Sequence, residues 1–422
     1  LQIRDVINRH CPTRAQVDHG TVALVLILNR LTMPLPLYQI ADWLAQTVLV
    51  YSLGIAAPKF NDDRLARTLD AIQPHCRDIW EAVVQRALVQ AEIDLSIIFY
   101  DLTAFVVHGA YSGSQHVDFG FANNTPMNKR KFKIGLDVTA DGHIPSDYKL
   151  WPGRATDMAT VQENMERLGR LLKRRGLPRD EVLVVGDRAN IDDKLALAYD
   201  DRNLRYLAGL RLLKKVHKAL VADIPEKQFY AHPLTDERGP QAYGGVPCQV
   251  SFQPKNSKRK VTHRGLVVLS GPMRTALRQS RAARLKELRQ ALMEVQSKLG
   301  QPYYRTVKSV QRKANAKLNA SPVGKFMRVK AYIDEQGQVC LHWWVASYPL
   351  WQAMQRDGRY LLVTNDWSLS PQQMLALYHQ KDGVEKRICV SKSQLKVSPI
   401  YLHKDERIEA MLLLNMLALL AY

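Results

Sequence analysis

Short apolar runs begin at Leu95 and alternate with helical periodicities, and that order leaves a chain of this kind little choice but a mixed α/β sheet. The first run, Leu95-Ser-Ile-Ile-Phe-Tyr-Asp101-Leu, ends in a carboxylate. Residues 105–111, 132–138 and 143–151 follow as strand candidates; Phe132, Ile134, Leu136 and Val138 alternate as a strand requires. Pro152, Gly153 and Arg154 break the chain. Residues 157–174 then carry Met158, Val161, Met165, Leu168 and Leu172 on one helical face. Residues 182–185, 191–199 and 204–210 read as strand, helix and strand. Antiparallel-type strands followed by helix, strand, helix and strand predict an α/β core.

The flanking segments differ in character. Residues 1–93 predict an all-α unit. Asp18 is placed to cap a helix bearing Val22, Leu24, Val25, Leu28 and Leu31, and Asn61, Asp62 and Asp63 precede Leu65, Leu69 and Ile72. Packing alone and DNA binding both suit such a unit. Residues 213–355 look inserted. They hold strand-like runs at 246–252 and 265–269 and a long helix at 274–299. In that helix Leu285, Leu288, Leu292, Val295 and Leu299 make a heptad seam. Gly300-Gln301-Pro302 ends the helix, and residues 306–318 are expected to fold back on it, which favours an internal hairpin over an intermolecular coiled coil. A β-hairpin over 326–333 and 339–345, a last strand at 359–364, a helix from Ser370 and an apolar helix at 407–422 complete the chain. The expected division is therefore 1–93, 94–212, 213–355 and 356–422, the second and fourth segments forming one core.

Charge narrows the function. Lys and Arg number 60 against 40 Asp and Glu, a net +20. That balance favours polyanions, nucleic acid first and an anionic membrane surface second. From Lys255 to Lys330 there are 20 basic residues against only Glu287 and Glu294, so +18 falls within 76 residues. Lys258, Arg259 and Lys260 open this stretch as candidate DNA contacts. Such a counterion-release surface contributes affinity rather than sequence choice. Five Cys without a CxxC pair argue against a disulfide framework and a zinc module. His10, His75, His108 and His379 show no ligand spacing. The first twenty residues do not resemble a signal peptide, and the apolar runs at 22–28 and 411–422 are too short to span a bilayer. A reducing cytoplasm is the expectation. Leu1 in place of Met leaves a fragment or a trimmed chain open.

Three acids stand out by position. Asp101 ends the first apolar run, Asp187 follows the strand at 182–185, and Glu385 lies on a helix. Carboxylate oxygens are the hard ligands that Mg²⁺ prefers, and a pair of such ions about 4 Å apart activates an attacking oxygen and stabilises a leaving one. Strand-end Asp residues also serve simply as caps and turns, so position alone leaves both readings open.

The third acid lies in a longer pattern, Tyr378-(2)-Lys381-(3)-Glu385-(6)-Lys392. It resembles the Tyr-(2)-Arg-(3)-Glu-(6)-Lys signature of transposases of the insertion sequence four superfamily. Lys381 replaces the usual Arg and loses the planar fork for bidentate phosphate binding. Phe99-Tyr100-Asp101-Leu102-Thr103 is similar to the family's first motif. Val184-Val185-Gly186-Asp187-Arg188-Ala189-Asn190 is similar to its second. The run from Tyr360 to Asn365 and the C-terminal apolar helix also look like the family.

The resemblance spans roughly residues 95–422. It implies a ribonuclease-H-like fold with an Asp-Asp-Glu metal site, interrupted before the Glu by an insertion. It also implies two Mg²⁺ ions with Mn²⁺ as a substitute, Asp101 bridging both. The expected chemistry is cleavage at element ends and transfer of the freed 3′-OH to target DNA. The partners would be double-stranded DNA with terminal inverted repeats, target DNA, and a second copy of the chain, in a bacterial cytoplasm at the nucleoid. Tyr378, Lys381, Lys392 and Arg188 would lie beside the DNA phosphates. An ordinary i,i+4 ion pair to Glu385 competes for Lys381, and simple packing for Tyr378. Related enzymes stack an aromatic on a flipped base, which brings in Trp343, Trp344 and Trp351, although strand Trp residues favour a core. An inactive derivative that only binds DNA, or a nuclease of the same fold that cuts without joining, would carry the same pattern.

Overall fold

The computed structural model describes residues 1–122, 125–188, 190–236, 239–397 and 402–422; Ala189 of the second acidic motif lies outside them. β1 (Ile97–Val106), β2 (Lys131–Thr139) and β3 (Pro145–Pro152) form an antiparallel meander, and β4 (Leu183–Gly186) and β5 (Arg205–Leu210) extend it parallel to β1. The order 3-2-1-4-5 makes a ribonuclease-H-like core. β2 is buried at every position, as befits a strand covered on both faces.

Two expected strands, 95–102 and 105–111, prove to be one. No turn residue separates Leu102 from Phe105, so β1 continues to Val106, pairing Phe105 with Phe132. The chain leaves the sheet before Gly109, whose φ of +143° is outside the range most side chains adopt.

β6 (Pro233–Asp236), β7 (Gly239–Phe252) and β8 (Val261–Ser270) belong to the same sheet. β9 (Met327–Ile333) and β10 (Val339–Val345) pair only with each other among the described residues, whereas β11 (Arg359–Thr364) lies between β5 and β8, antiparallel to both. The segment expected as one insertion, 213–355, is thus divided. Its first strands complete the nine-stranded sheet, and a separate core begins at the helix Gly271–Gln296. Ser270 caps that helix, its Oγ accepting from the Met273 N–H at 3.2 Å. Leu288, Leu292 and Val295 pack on Val310 and Ala314 of the helix Val307–Ala320 and on Phe326, Met327 and Leu341. The heptad seam is therefore spent inside the hairpin.

Helices cover both faces of the sheet. Asp157–Arg175 and Asp193–Asp201 contribute to the core on one side. On the other lies Asp405–Ala421, apolar on nearly every side and buried almost throughout from Ile408 to Leu420, as a helix surrounded by protein must be. It packs between β3 and the N-terminal helices His19–Thr32, Asp62–Ile72 and Cys76–Gln90. The helical unit therefore shares one core with the sheet. Asp18 and Asn61 cap their helices as the sequence predicts, accepting from Thr21 at 2.6 Å and Arg64 at 3.0 Å. Arg77 Nη1 and Arg167 Nη2, from the helices on either side, each lie 2.6 Å from Asp147 Oδ1 of β3. Among the described residues, no single helix is long and apolar enough to cross a membrane.

Candidate active site

The strand register sets the first two acids side by side. Tyr100 of β1 pairs with Gly186, the last residue of β4, so Asp101 and Asp187 follow at the same level of neighbouring strands. Glu385 reaches them from the helix Asp382–Ser393, where it sits in the first turn. A carboxylate is favoured there by the unpaired N–H groups of the helix start.

The signature does not lie on one helix. Pro371–Gln380 ends at Tyr378-His-Gln, Lys381 is the joint, and Asp382–Ser393 continues. Ser370 and Gln373 form a reciprocal capping box at the start of the first helix. Gly383 lets the second helix press on the β2–β3 turn, since a Cβ there would lie 2.4 Å from the His143 ring. Arg387 Nε donates to the His143 carbonyl at 2.8 Å and anchors the same contact. Sequence reasoning passed over His143 and Gly383; only a spatial neighbour gives that glycine its purpose.

Lys381 sits among the acids. Its Nζ lies 2.9 Å from Glu385 Oε1 and 3.8 Å from Asp187 Oδ1, and the residue is only 8% exposed. Burial works against its charge, but Asp187, Glu385 and Asp101 outweigh it and hold the ammonium above the ordinary lysine range. The i,i+4 ion pair is therefore present, and Lys381 reaches beyond it to a second acid. Burial pushes the Asp101 carboxyl up to about 6, and the charges of Asp187 and Glu385 add to this. Lys381 and the Leu102 N–H, which donates to Oδ1 at 2.9 Å, oppose it. Asp187 and Glu385 keep 47% and 55% of their side chains exposed, so the cluster opens to solvent on their side.

The remaining signature residues surround this cluster. The Tyr378 hydroxyl donates to Asp187 Oδ1 at 3.4 Å, and burial raises its pKa. Gly209 of β5 makes room for it: a Cβ there would meet Arg188 Cγ at 2.6 Å and the Tyr378 hydroxyl at 2.8 Å. The Arg188 guanidinium lies 5.6 Å from the Tyr360 ring centre. Lys392 Nζ stands 5.4 Å over the Phe105 ring and feels the charge of Asp101.

Lys258, Arg259 and Lys260 are not brought here. They lie on the exposed turn between β7 and β8. The pairing of β8 with β11 and of β11 with β5 puts that turn at the opposite end of the sheet, roughly 20 Å along the strands. Arg259 Nη1 bonds Asp201 there at 2.5 Å. Thr364 Oγ1 donates to the Tyr206 carbonyl at 2.5 Å, and the Asn365 side chain accepts from the Tyr206 N–H at 2.9 Å, so both secure the end of β11. Trp343 packs against the hairpin core, whereas Trp344 and Trp351 are exposed.

Three carboxylates with two exposed members form a hard-oxygen donor set suited to a divalent cation, and the ammonium among them marks a place where positive charge is favoured. The fit is chemical rather than tight. Among the described residues, the one group of three or more such ligands with all donor atoms within 4.8 Å is His10, His75 and Asp78. The three acids are not such a group; Lys381 Nζ stands between Glu385 and Asp187.

A family model for a Domain of unknown function (DUF4277) matches residues 1–83, and one for a Transposase DDE domain matches residues 93–421. No curated protein matches the chain. Among solved structures it is similar to the piggyBac transposase synaptic complex with hairpin DNA, at 11% identity and a TM-score of 0.40, covering 99% of this chain and 70% of that one. It is also similar to a pre-cleavage Mos1 transpososome at 12% identity and a TM-score of 0.19, and to the Mos1 mariner paired end complex with Mn at 14% and 0.19. In both cases 47% of this chain and 60% of that one are covered. The match over residues 93–421 takes in the sheet, the hairpin and all three acids, and the chain belongs to the Transposase DDE domain family.

Proposed function

We propose that the chain is an insertion-sequence transposase that cleaves DNA at element ends and joins the freed 3′-OH to target DNA. One observation carries this: Asp101 from the middle of β1, Asp187 just past β4 and Glu385 from the first turn of a helix gather about the buried Lys381. The family uses divalent metal ions. Here Asp101, Asp187 and Glu385 would hold two, Mg²⁺ or Mn²⁺ in its place. Bound there, the ions would supply charge that activates the attacking oxygen and stabilises the leaving one.

The chain's own groups do the positioning. Lys381 balances the carboxylates, and with Lys392 and Arg188 it faces incoming phosphate oxygens. Tyr378 orients Asp187 through its hydroxyl. The basic stretch supplies affinity through counterion release. Lys258, Arg259 and Lys260 hold DNA away from the carboxylates. The partners are the terminal inverted repeats, target DNA and a second copy of the chain. Trp344 and Trp351 have exposed faces on which a base could stack, worth about 1–3 kcal/mol per base.

The test is Mg²⁺-dependent cleavage and joining of DNA carrying the repeats that flank the gene. Asp101→Ala, Asp187→Ala and Glu385→Ala should each slow both steps by on the order of 10³-fold. Cleavage retained in all three variants rejects the site, and wild-type cutting without joining makes the protein a nuclease.

A further inference from the structure

We propose a second metal site, for a zinc-class cation, formed by His10, His75 and Asp78 in the helical N-terminal unit. His10 is the last residue of the helix Ile3–His10. His75 ends the single turn Gln73–His75, and Asp78 lies in the first turn of the helix Cys76–Gln90. His75 and Asp78 are three residues apart and share a helical face. His10 comes from a distant part of the chain, which is why the histidines have no ligand spacing in the sequence.

Several observations point to a ligand. The donor atoms of all three side chains lie within 4.8 Å of one another. The two imidazole centres are 6.0 Å apart with the rings tilted by 39°. Among the described residues, none of the three side chains has a hydrogen-bond or ion-pair partner within the protein. No hydrogen bond or ion pair joins any two of the three. Small side-chain rotations would bring them to the roughly 2.0–2.2 Å that zinc requires. Water would complete a four-coordinate site.

The surroundings are basic, and two of the three nearby arginines are paired. Arg77, Arg174 and Arg175 line the adjoining hollow of about 290 Å³. Arg77 is already paired with Glu81 and Asp147, and Arg174 with Glu81. Cys11, next to His10, is buried, and its Sγ donates to the Ala71 carbonyl at 3.3 Å, so it is not a fourth ligand.

Donor chemistry separates this site from the carboxylates. Imidazole nitrogens select zinc, nickel or copper, whereas carboxylate oxygens suit magnesium and manganese. An ion here ties the end of the first helix to the start of the last helix of the unit. Arg77, between His75 and Asp78, bonds β3 through Asp147. The metal thus braces the helical unit where it rests on the sheet.

The experiment uses the full chain, stripped by chelator and titrated with ZnCl₂ by calorimetry in excess Mg²⁺. One equivalent should bind, and His10→Ala and His75→Ala should each weaken it at least about tenfold. Asp101→Ala should leave it unchanged, which separates this proposal from the reading of the carboxylate site. In the wild type, Zn²⁺ should also shield His10 and His75 from diethylpyrocarbonate, a readout that does not depend on how the variants fold. Zinc binding unaffected by both histidine substitutions, or equal modification of the two histidines with and without Zn²⁺, overturns the proposal.

Discussion

The basic helical hairpin and the carboxylate cluster are built over very different lengths of chain. The hairpin takes its core from neighbours, with Leu288, Leu292 and Val295 resting on Val310 and Ala314. Its Arg284, Lys286, Arg289, Lys308, Arg312 and Lys317 stand exposed. The cluster draws on Asp101, Asp187, Lys381 and Glu385, and its central lysine is buried among opposite charges. A surface that holds a polyanion works by the sum of many weak attractions and tolerates the removal of any one. A reacting centre depends on a few groups meeting at one place, and each is indispensable.

The largest effect should come from the cluster. Asp101→Ala or Glu385→Gln is expected to slow single-turnover cleavage by on the order of 10³-fold, with DNA affinity nearly unchanged. A matching drop in affinity would erase the distinction between the regions. Next comes the hairpin surface. Replacing its six exposed basic residues named above by Ala should weaken DNA binding by on the order of 10²-fold or more. It should also flatten the salt dependence by about 0.9 in slope for each phosphate that is no longer neutralised. Cleavage at saturating DNA should persist; if it vanishes, the hairpin also orders the reacting strand.

Leu292→Ala tests whether the hairpin is a separate cooperative unit. It should cost about 2–5 kcal/mol locally. Hydrogen exchange should quicken in Gly271–Gln296 and Val307–Ala320 while β1 and β2 stay protected; uniform quickening would mean a single unit.

The subtlest expectation concerns Asp137 of β2, a buried acid outside the cluster. Burial, then the charge of Asp147, pushes its carboxyl up to about 7, and Asn164 Nδ2 donates to it at 2.9 Å. The folded protein holds this proton more tightly than the unfolded chain. Its contribution to stability is therefore fully present below about pH 4 and is lost as pH rises through about 7. Asp137→Asn should remove that slope from urea midpoints measured against pH. A slope that survives places the titrating group elsewhere.

Parts of both regions can be read directly from residues. Asp18, Asn61 and Ser370 lie just ahead of apolar periodicities and cap helices in the structure. The seam from Leu285 implies a partner helix close by, and the basic stretch stands out by simple counting. The motif spacing points to Asp187 and Glu385 because it repeats an order of residues along the chain. By contrast, the break at Lys381 has no local marker strong enough to end a helix, and β7 and β8 read equally well as strands of a small inserted sheet. Their place depends on β11, which comes about 90 residues after β8.

The residues alone determined the alternation of strands and helices, the helix starts, the location of the charge and the order of the acidic motifs. These follow from periodicity, capping and composition, which act over a few neighbours. Only the tertiary structure decided that Asp101 stands level with Asp187, that Lys381 sits among three acids, and that His10 meets His75. It also sealed the C-terminal helix between the N-terminal unit and the sheet. A hydrophobic pattern says which face must leave water, whereas strand register and helix packing choose what that face meets. Those choices are settled by contacts between residues far apart in the chain.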